Sequence, residues 1–475
     1  MDSNKVIKAG FGYTIANYLI KGLAFFTLPI FTRLLTTADF GIYNTFLAYE
    51  NILTVILGVS FYSSFNAARF KFSKIEKYIS ACITFSSILS LVFLIFVQII
   101  YPIYSRYLGL DRWILVLLFA YSFSTAIITY YNSYVGLDYQ YKKFVLISAI
   151  GAIGNIVMSL LLVLTFFSNN RGIGRIAGMT IPTIFLSTYI LLFFFSKNKP
   201  NLDKNCIRYA LLYSIPIIPH SLSQIILNQF DRIMITSIVG ESESGIYSFA
   251  YTMFSILLIT ITSIDKIWGP WFFDNLKENN YLKIKKTSTQ YGLLMAVISS
   301  LLMLIAPEII KFLGPKEYWN AIYCVIPIVI GGYFSFLYYI PCQVEYYYAK
   351  TKYIAFGSIL AAIVNIILNS IFIHQYGYIA AAYTTLISYL LYFLFHYLIS
   401  VHIAHKCLFE TKKLVIMCRC LMLYGKDIRM LLNKLKWKKK QAQDLLYILG
   451  AGCIAGSALY SFFSSTLKLA DVKKK

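Results

Sequence analysis

The chain has 475 residues, of which 59% are apolar and 17% aromatic, while only 13% are charged. Soluble domains carry roughly 25% charged residues, so this composition excludes a soluble enzyme or binding module and defines an integral membrane protein. The 43 Lys and Arg against 20 Asp and Glu give a net charge of +23, which in a membrane protein points to cytoplasmic loops, anionic headgroups or an anionic substrate. No nucleic-acid-binding motif accompanies the charge, and the basic residues are scattered between apolar runs. The 8 cysteines (82, 206, 324, 342, 407, 418, 420 and 453) show no paired Cys-x2-Cys spacing. Neither disulfides nor a metal site is expected from that pattern, and no cofactor is implied.

The N-terminal stretch lacks a clean apolar core and a small-residue cleavage site, so it reads as a retained first span. A span needs about 20 mostly apolar residues. Windows of that kind fall near 11–32, 40–65, 79–101, 113–133, 144–167 and 176–196. After the basic break at Lys197, Lys199, Lys204 and Arg208, six more fall near 209–231, 245–268, 289–313, 319–342, 353–373 and 378–402. With the N-terminus in the cytoplasm, the inner loops carry more than twice the Lys and Arg of the outer ones, which sets the orientation. The expected organisation is a six-helix lobe over 1–198, a second over 199–403, and a basic tail over 404–475. Within the tail, Lys406 to Lys440 suits an interfacial amphipathic segment. Residues 445–467 are apolar enough to cross once more, although that leaves Lys473, Lys474 and Lys475 outside, against the charge rule.

The two halves also resemble each other. Phe31 to Tyr43, with Arg33, Phe40-Gly41-Ile42 and Tyr43, is similar to Phe230-Asp231-Arg232 followed, after a five-residue insertion, by Gly245-Ile246-Tyr247. Asn155-Ile156-Val157 pairs with Asn365-Ile366-Ile367, and Gly174 to Ala177 with Gly377 to Ala380, in the same order. Two homologous six-helix halves enter from the same side, so a pseudo-two-fold axis along the membrane normal is expected, with a substrate cavity between the halves.

The stretch from Leu28 to Tyr43 resembles the first loop of bacterial polysaccharide exporters, the O-antigen flippases of the multidrug/oligosaccharidyl-lipid/polysaccharide superfamily. Asp231-Arg232, Gly245 to Tyr247 and Tyr376 to Ala381 are similar to further marks of that family. The resemblance covers about residues 5–402. It implies an all-α, twelve-span, two-lobed protein of the multidrug and toxin extrusion (MATE) type. Such a protein moves undecaprenyl-diphosphate-linked oligosaccharide across the bacterial cytoplasmic membrane for O-antigen or capsule-type polysaccharide, with a polymerase or glycosyltransferases as possible partners.

Ionisable residues within spans are functional candidates, because each costs about 2.5–3.5 kcal/mol on insertion scales unless paired or wet. Lys21 lies mid-window in the first span, and an ungapped offset from Arg33 to Arg232 sets it opposite His220, which follows Pro216 and Pro219. Both can hold an anionic diphosphate at mid-depth; the plainer reading is a Lys21 ion pair with Glu50 and a hydrogen-bonded His220. Arg33, Asp231 and Arg232 fall at span ends, where they brace the lobes or guide a sugar-phosphate. Asp265 and Lys266, before Trp268, Pro270 and Trp271, pair internally or gate the inner mouth, with the tryptophans as interface anchors. Arg69, Lys71, Lys74 and Lys77 set topology or recruit a phosphate headgroup. Glu50, and after it Asp265, would carry any H+ or Na+ coupling.

A drug/cation antiporter of the same superfamily is the alternative, but it calls for an acidic cavity, and only Glu50 is placed deeply. A membrane-embedded polymerase or glycosyltransferase needs a large loop with acid/base groups, and no loop before residue 402 is long enough. No Gly-x4-Gly-Lys-Ser/Thr motif occurs, so the chain itself is not expected to use ATP.

Overall fold

A computed structural model describes residues 22–410 except 24, 109 and 110, together with 413, 416, 418 and 421. The described residues form helices and connecting turns, with no strand among them. In chain order they are α1 (Phe25–Leu34), α2 (Thr37–Gly58), α3 (Phe65–Lys71), α4 (Ile75–Leu108), α5 (Arg112–Leu137), α6 (Tyr141–Leu164), α7 (Arg171–Lys197), α8 (Lys204–Ser214), α9 (Ile218–Ile238), α10 (Glu241–Lys277), α11 (Tyr281–Leu313), α12 (Ile322–Tyr347), α13 (Thr351–Tyr376) and α14 (Tyr378–Ala404). Among the described residues, 11 helical stretches are long and apolar enough to cross a membrane. Each corresponds to one of the windows from the second to the twelfth. Most of the first window, the tail from 422 and the stretch 445–467 lie outside the described residues.

Broad lipid-facing surfaces explain the composition. Residues such as Ile99, Ile103, Val157, Phe185, Leu192, Leu282 and Phe312 stand exposed on single helix faces, a cost in water and none in hydrocarbon. Helix boundaries follow local chemistry. The turn between α1 and α2 closes with a reciprocal cap: Thr36 Oγ1 accepts from the Asp39 N–H (3.1 Å), and Asp39 Oδ2 accepts from the Thr36 N–H (3.1 Å). Asp203 caps α8 by accepting from the Asn205 and Cys206 N–H groups. Pro216 and Pro219 cannot donate to a helical ladder, and a short 3-10 turn at Ile215–Ile217 separates α8 from α9 where the sequence expects a broken span.

The chain's contacts divide into two compact units, one ending at Gly245 and the other beginning at Ile246. In the first, α2 packs against α5, α7 and α9, and α6 against α7. Gly178 of α7 lies directly on the Ser159 backbone of α6, an approach that only a residue without a Cβ permits. In the second, α12, buried along most of its length, packs on α14, and α14 on α13.

Candidate functional site: polar groups inside the helix bundles

Asp39 does more than cap α2. Its Oδ1 accepts from the Gly172 N–H at the start of α7 (2.8 Å), while Arg171 Nη1 donates to the Leu34 carbonyl (2.8 Å). The α1–α2 turn is thereby tied to α7. Two residues further on, Gly41 meets the start of α10. A Cβ on Gly41 would overlap the Glu241 carbonyl, and a Cβ on Gly245 would overlap the Thr37 carbonyl. Each glycine therefore sits against the carbonyl four residues before the other, so the contact is reciprocal. Hydroxyls extend this seam: Thr37 Oγ1 lies 2.7 Å from Ser242 Oγ, and Thr45 Oγ1 lies 2.7 Å from Thr236 Oγ1 and 3.3 Å from Ser244 Oγ. The two Gly-Ile-Tyr motifs thus begin at residues that pack on one another. The paired arginines also behave alike, Arg33 Nη1 donating to the Pro29 carbonyl (2.9 Å) and Arg232 Nη1 to the Asn228 carbonyl (2.8 Å).

Their surroundings differ. Arg33 is exposed, whereas Asp231 and Arg232 are buried. This departs from the expected position at a span end. α9 runs on to Ile238, because the chain does not turn until Gly240, so both residues fall inside the helix. His220 is half-buried near the start of α9.

Glu50 lies buried on α2 as expected. Thr54 Oγ1 donates to Glu50 Oε1 (2.9 Å) and is 3.3 Å from the Ser122 carbonyl, while Thr125 Oγ1 donates to the Tyr121 carbonyl (3.0 Å). Tyr121 has Glu50, Tyr43 and Arg175 as neighbours. The Arg175 guanidinium of α7 stacks 3.7 Å above the Phe31 ring and 5.1 Å from Tyr43, a cation–π arrangement suited to a weakly hydrated cation inside a bundle. One carboxylate and one guanidinium thus share an aromatic, hydroxyl-rich interior. Arg175 was visible in the sequence only as a loop charge.

Lys21 lies outside the described residues. Asp265 and Lys266 fall on α10, with side chains outside the described set. The nearby tryptophan departs from the expected role as an interface anchor: Trp268 is buried, with ring centroids 5.0 Å from Trp271 and 5.1 Å from Tyr291. α10 continues to Lys277 and carries it inward of the helix end. Tyr346, Tyr347 and Tyr348 are exposed at the end of α12, as an interface belt requires.

Of the basic group after α2, Arg69 pairs with Asp138 (3.1 Å), Lys71 covers the Tyr209 ring (4.3 Å) and Lys77 pairs with Asp203 (2.8 Å). The Lys77 ammonium beside Asp203 holds its carboxyl below the usual carboxylate range. At the α5–α6 turn, Arg69, Lys142 and Lys143 line a cavity of about 550 Å³ that also includes Asp138.

In the second unit, sequence reasoning missed two groups. Asn365 Nδ2 donates to Thr385 Oγ1 (3.2 Å), Asn369 Nδ2 to Asn365 Oδ1 (3.1 Å), and Thr384 Oγ1 to Asn369 Oδ1. His396 Nδ1 lies 2.7 Å from Glu345 Oε1, both side chains wholly buried. Glu345 was hidden behind the tyrosine run and His396 within an aromatic helix; only the cost of burying an ionisable group marks them.

Spans of this number with ionisable groups inside them define a multi-pass integral membrane protein, and solved membrane proteins share its fold. The chain is similar over 97% of its length to 99% of the structure described as lipid II flippase MurJ in an inward closed conformation, with a TM-score of 0.68 and 16% identity. It is similar over 80% of its length to 97% of an inward-facing multidrug resistance MATE family transporter, with a TM-score of 0.60 and 16% identity. The chain belongs to the family described as polysaccharide biosynthesis protein, whose sequence profile matches residues 6–276. Two curated relatives come from Haemophilus influenzae. One, described as an uncharacterized membrane protein, is 27% identical over 43% of this chain and 52% of its own length. The other, Lsg locus putative protein 1, is 27% identical over 33% of this chain and 40% of its own length. The chain thus spans about half of these relatives or less.

Proposed function

We propose that this protein translocates an undecaprenyl-diphosphate-linked oligosaccharide across the bacterial cytoplasmic membrane by alternating access, for O-antigen or capsule-type polysaccharide assembly. The observation that carries this reading is a polysaccharide-biosynthesis family match on a chain whose described residues are almost all membrane helix with short connections. A protein built this way can handle a polysaccharide precursor only in its membrane-borne form, and its task is movement rather than bond formation.

In this reading the lobes are 1–198 and 199–403, the N-terminus is cytoplasmic, and the Gly41–Gly245 seam is one of the contacts that must open during the cycle. Lys21, His220, Arg33 and Arg232 take the diphosphate and sugar along the path. Glu50 carries ion coupling or internal pairing, with Asp231, Asp265 and Lys266 as further members. The cationic cavity at Arg69, Lys142 and Lys143 is suited to first capture of the phosphate. The buried Glu50 gives some support to a drug/cation antiporter, so the experiment separates the two. Lipid analysis of a null strain and of Lys21→Ala at normal protein level is expected to show lipid-linked oligosaccharide accumulating in the inner leaflet with loss of surface polysaccharide. Unchanged surface polysaccharide in the null, with altered drug sensitivity, would favour the antiporter.

A further inference from the structure

We propose that Cys342, Glu345 and His396 form a divalent transition-metal site, best suited to Zn²⁺, that clips α12 to α14. The inference concerns the second unit alone and does not depend on the transported substrate. Cys342 and Glu345 stand three residues apart on one face of α12, and His396 reaches them from α14. Their donor atoms lie within 4.8 Å of one another, and all three residues are buried. The rings of Tyr338, Tyr392 and Phe395 wall the imidazole at centroid distances of 5.8, 4.6 and 5.3 Å.

Two polar atoms in this buried pocket have no hydrogen-bond partner within the protein: Glu345 Oε2 and His396 Nε2. Each such orphan costs roughly 1–3 kcal/mol, so a simple Glu–His hydrogen bond leaves the pocket poorly satisfied. A metal ion accounts for the carboxylate orphan. His396 Nδ1 and Glu345 Oε1, now 2.7 Å apart, need to separate only to about 3.3 Å to bind one ion at about 2.0–2.1 Å each, with the Cys342 sulfur at about 2.3 Å. Glu345 Oε2, on the same carboxylate, then makes a second, longer contact to the ion, and the fourth vertex is left open. On the far side of the ring, a Cβ at Gly357 of α13 would lie 2.8 Å from His396 Nε2, so the glycine is what leaves room beside that nitrogen.

Charge selects the ion. A thiolate, a carboxylate and a neutral imidazole sum to −2, which a divalent cation cancels, as a low-dielectric interior demands. The sulfur and nitrogen donors favour Zn²⁺ over Mg²⁺ or Ca²⁺. Spacing along the chain could not reveal this cluster, because His396 lies on a separate helix from the other two.

The test uses the full chain purified in detergent from zinc-replete cells. Metal analysis is expected to give about one zinc per chain, falling at least fivefold in Cys342→Ser and in His396→Ala but not in Cys324→Ser, a buried cysteine of the same helix outside the cluster. After exchange into Co²⁺, the protein should show a thiolate-to-cobalt charge-transfer band that Cys342→Ser abolishes. Variants that fail to fold are identified by lost helical circular dichroism, and the cobalt band of the wild-type protein then decides alone. Less than a tenth of an ion per chain with no cobalt band would overturn the proposal and leave a hydrogen-bonded pair only. A cobalt band that survives Cys342→Ser would overturn the assigned ligands.

Discussion

Gly41→Ala tests whether the seam between α2 and the start of α10 governs activity. The added Cβ overlaps the Glu241 carbonyl and comes within 2.9 Å of the Gly245 nitrogen, so the helices must part by roughly 1 Å or more to restore ordinary contact. Parting stretches the Thr37–Ser242 and Thr45–Thr236 hydroxyl bonds, both 2.7 Å, beyond useful length. Interhelical hydrogen bonds in membranes are worth about 0.6–1 kcal/mol each. Losing both costs about 1–2 kcal/mol, which shifts a two-state equilibrium about 5- to 30-fold toward the open seam. The assay is disulfide trapping of Thr37→Cys/Ser242→Cys, whose parent hydroxyls are close enough for a bond of about 2.05 Å after a small adjustment, with surface polysaccharide measured alongside. Oxidised double mutant should be arrested and recover on reduction, and adding Gly41→Ala should slow trapping severalfold. Gly136→Ala, at a glycine with no neighbour within 4 Å of the added Cβ, is the control and should change neither. Equal trapping rates with and without Gly41→Ala would refute the reasoning.

Asp39→Ala removes both the cap on α2 and the bond to Gly172, and should lower stability by about 1–2 kcal/mol, seen as a lower unfolding temperature in detergent, with Asp39→Asn milder. Glu50→Gln keeps the shape and its Thr54 hydroxyl contact but removes the charge; helical content should be unchanged while export falls at least tenfold, and full export would remove Glu50 from the coupling role. Asp203 has a carboxyl pKa lowered by Lys77, so its contribution is present above the ordinary carboxylate value and lost as pH falls through the lowered one. Unfolding temperatures of wild type and Asp203→Asn should therefore differ at pH 7 and converge as the pH falls through the lowered carboxyl value. Charge reversal at the α5–α6 cavity, Lys142→Glu/Lys143→Glu, should slow export without altering abundance, and unchanged export would leave these lysines as topology determinants.

The spans were legible in the sequence because hydrocarbon thickness sets their length and apolar content, and every window from the second to the twelfth has its helix. Pro216 and Pro219 also announced the break between α8 and α9, since a missing N–H acts locally. What stayed hidden depended on which helix faces which. Arg175 looked like a loop charge until Phe31 and Tyr43 were found beneath it, and Asp231 and Arg232 looked terminal until α9 ran past them. Glu345 and His396, 51 residues apart, carry no periodic signal at all. The repeat was legible only as similarity; its physical content is that Gly41 and Gly245 meet.

That content bears on what the motif from Leu28 to Tyr43 can and cannot specify. Thr36 and Asp39 are spent on a helix cap, Asp39 again on the start of α7, and Gly41 on a close approach to the start of α10. Each is used by the backbone, and none of these contacts needs a cargo. A segment so committed constrains how the helices hinge and pack, so it can persist while the transported molecule changes. On the proposed function, selectivity for particular sugars is then set by side chains that the backbone does not need. In the first unit the group around Glu50, Tyr121 and Arg175 fits that description, because its charges and rings interact through side chains and can be exchanged without moving a helix end. Exchanging those residues between family members that carry different sugars should therefore move substrate preference, while exchanging residues 36–41 should affect rate and stability and leave preference where it was.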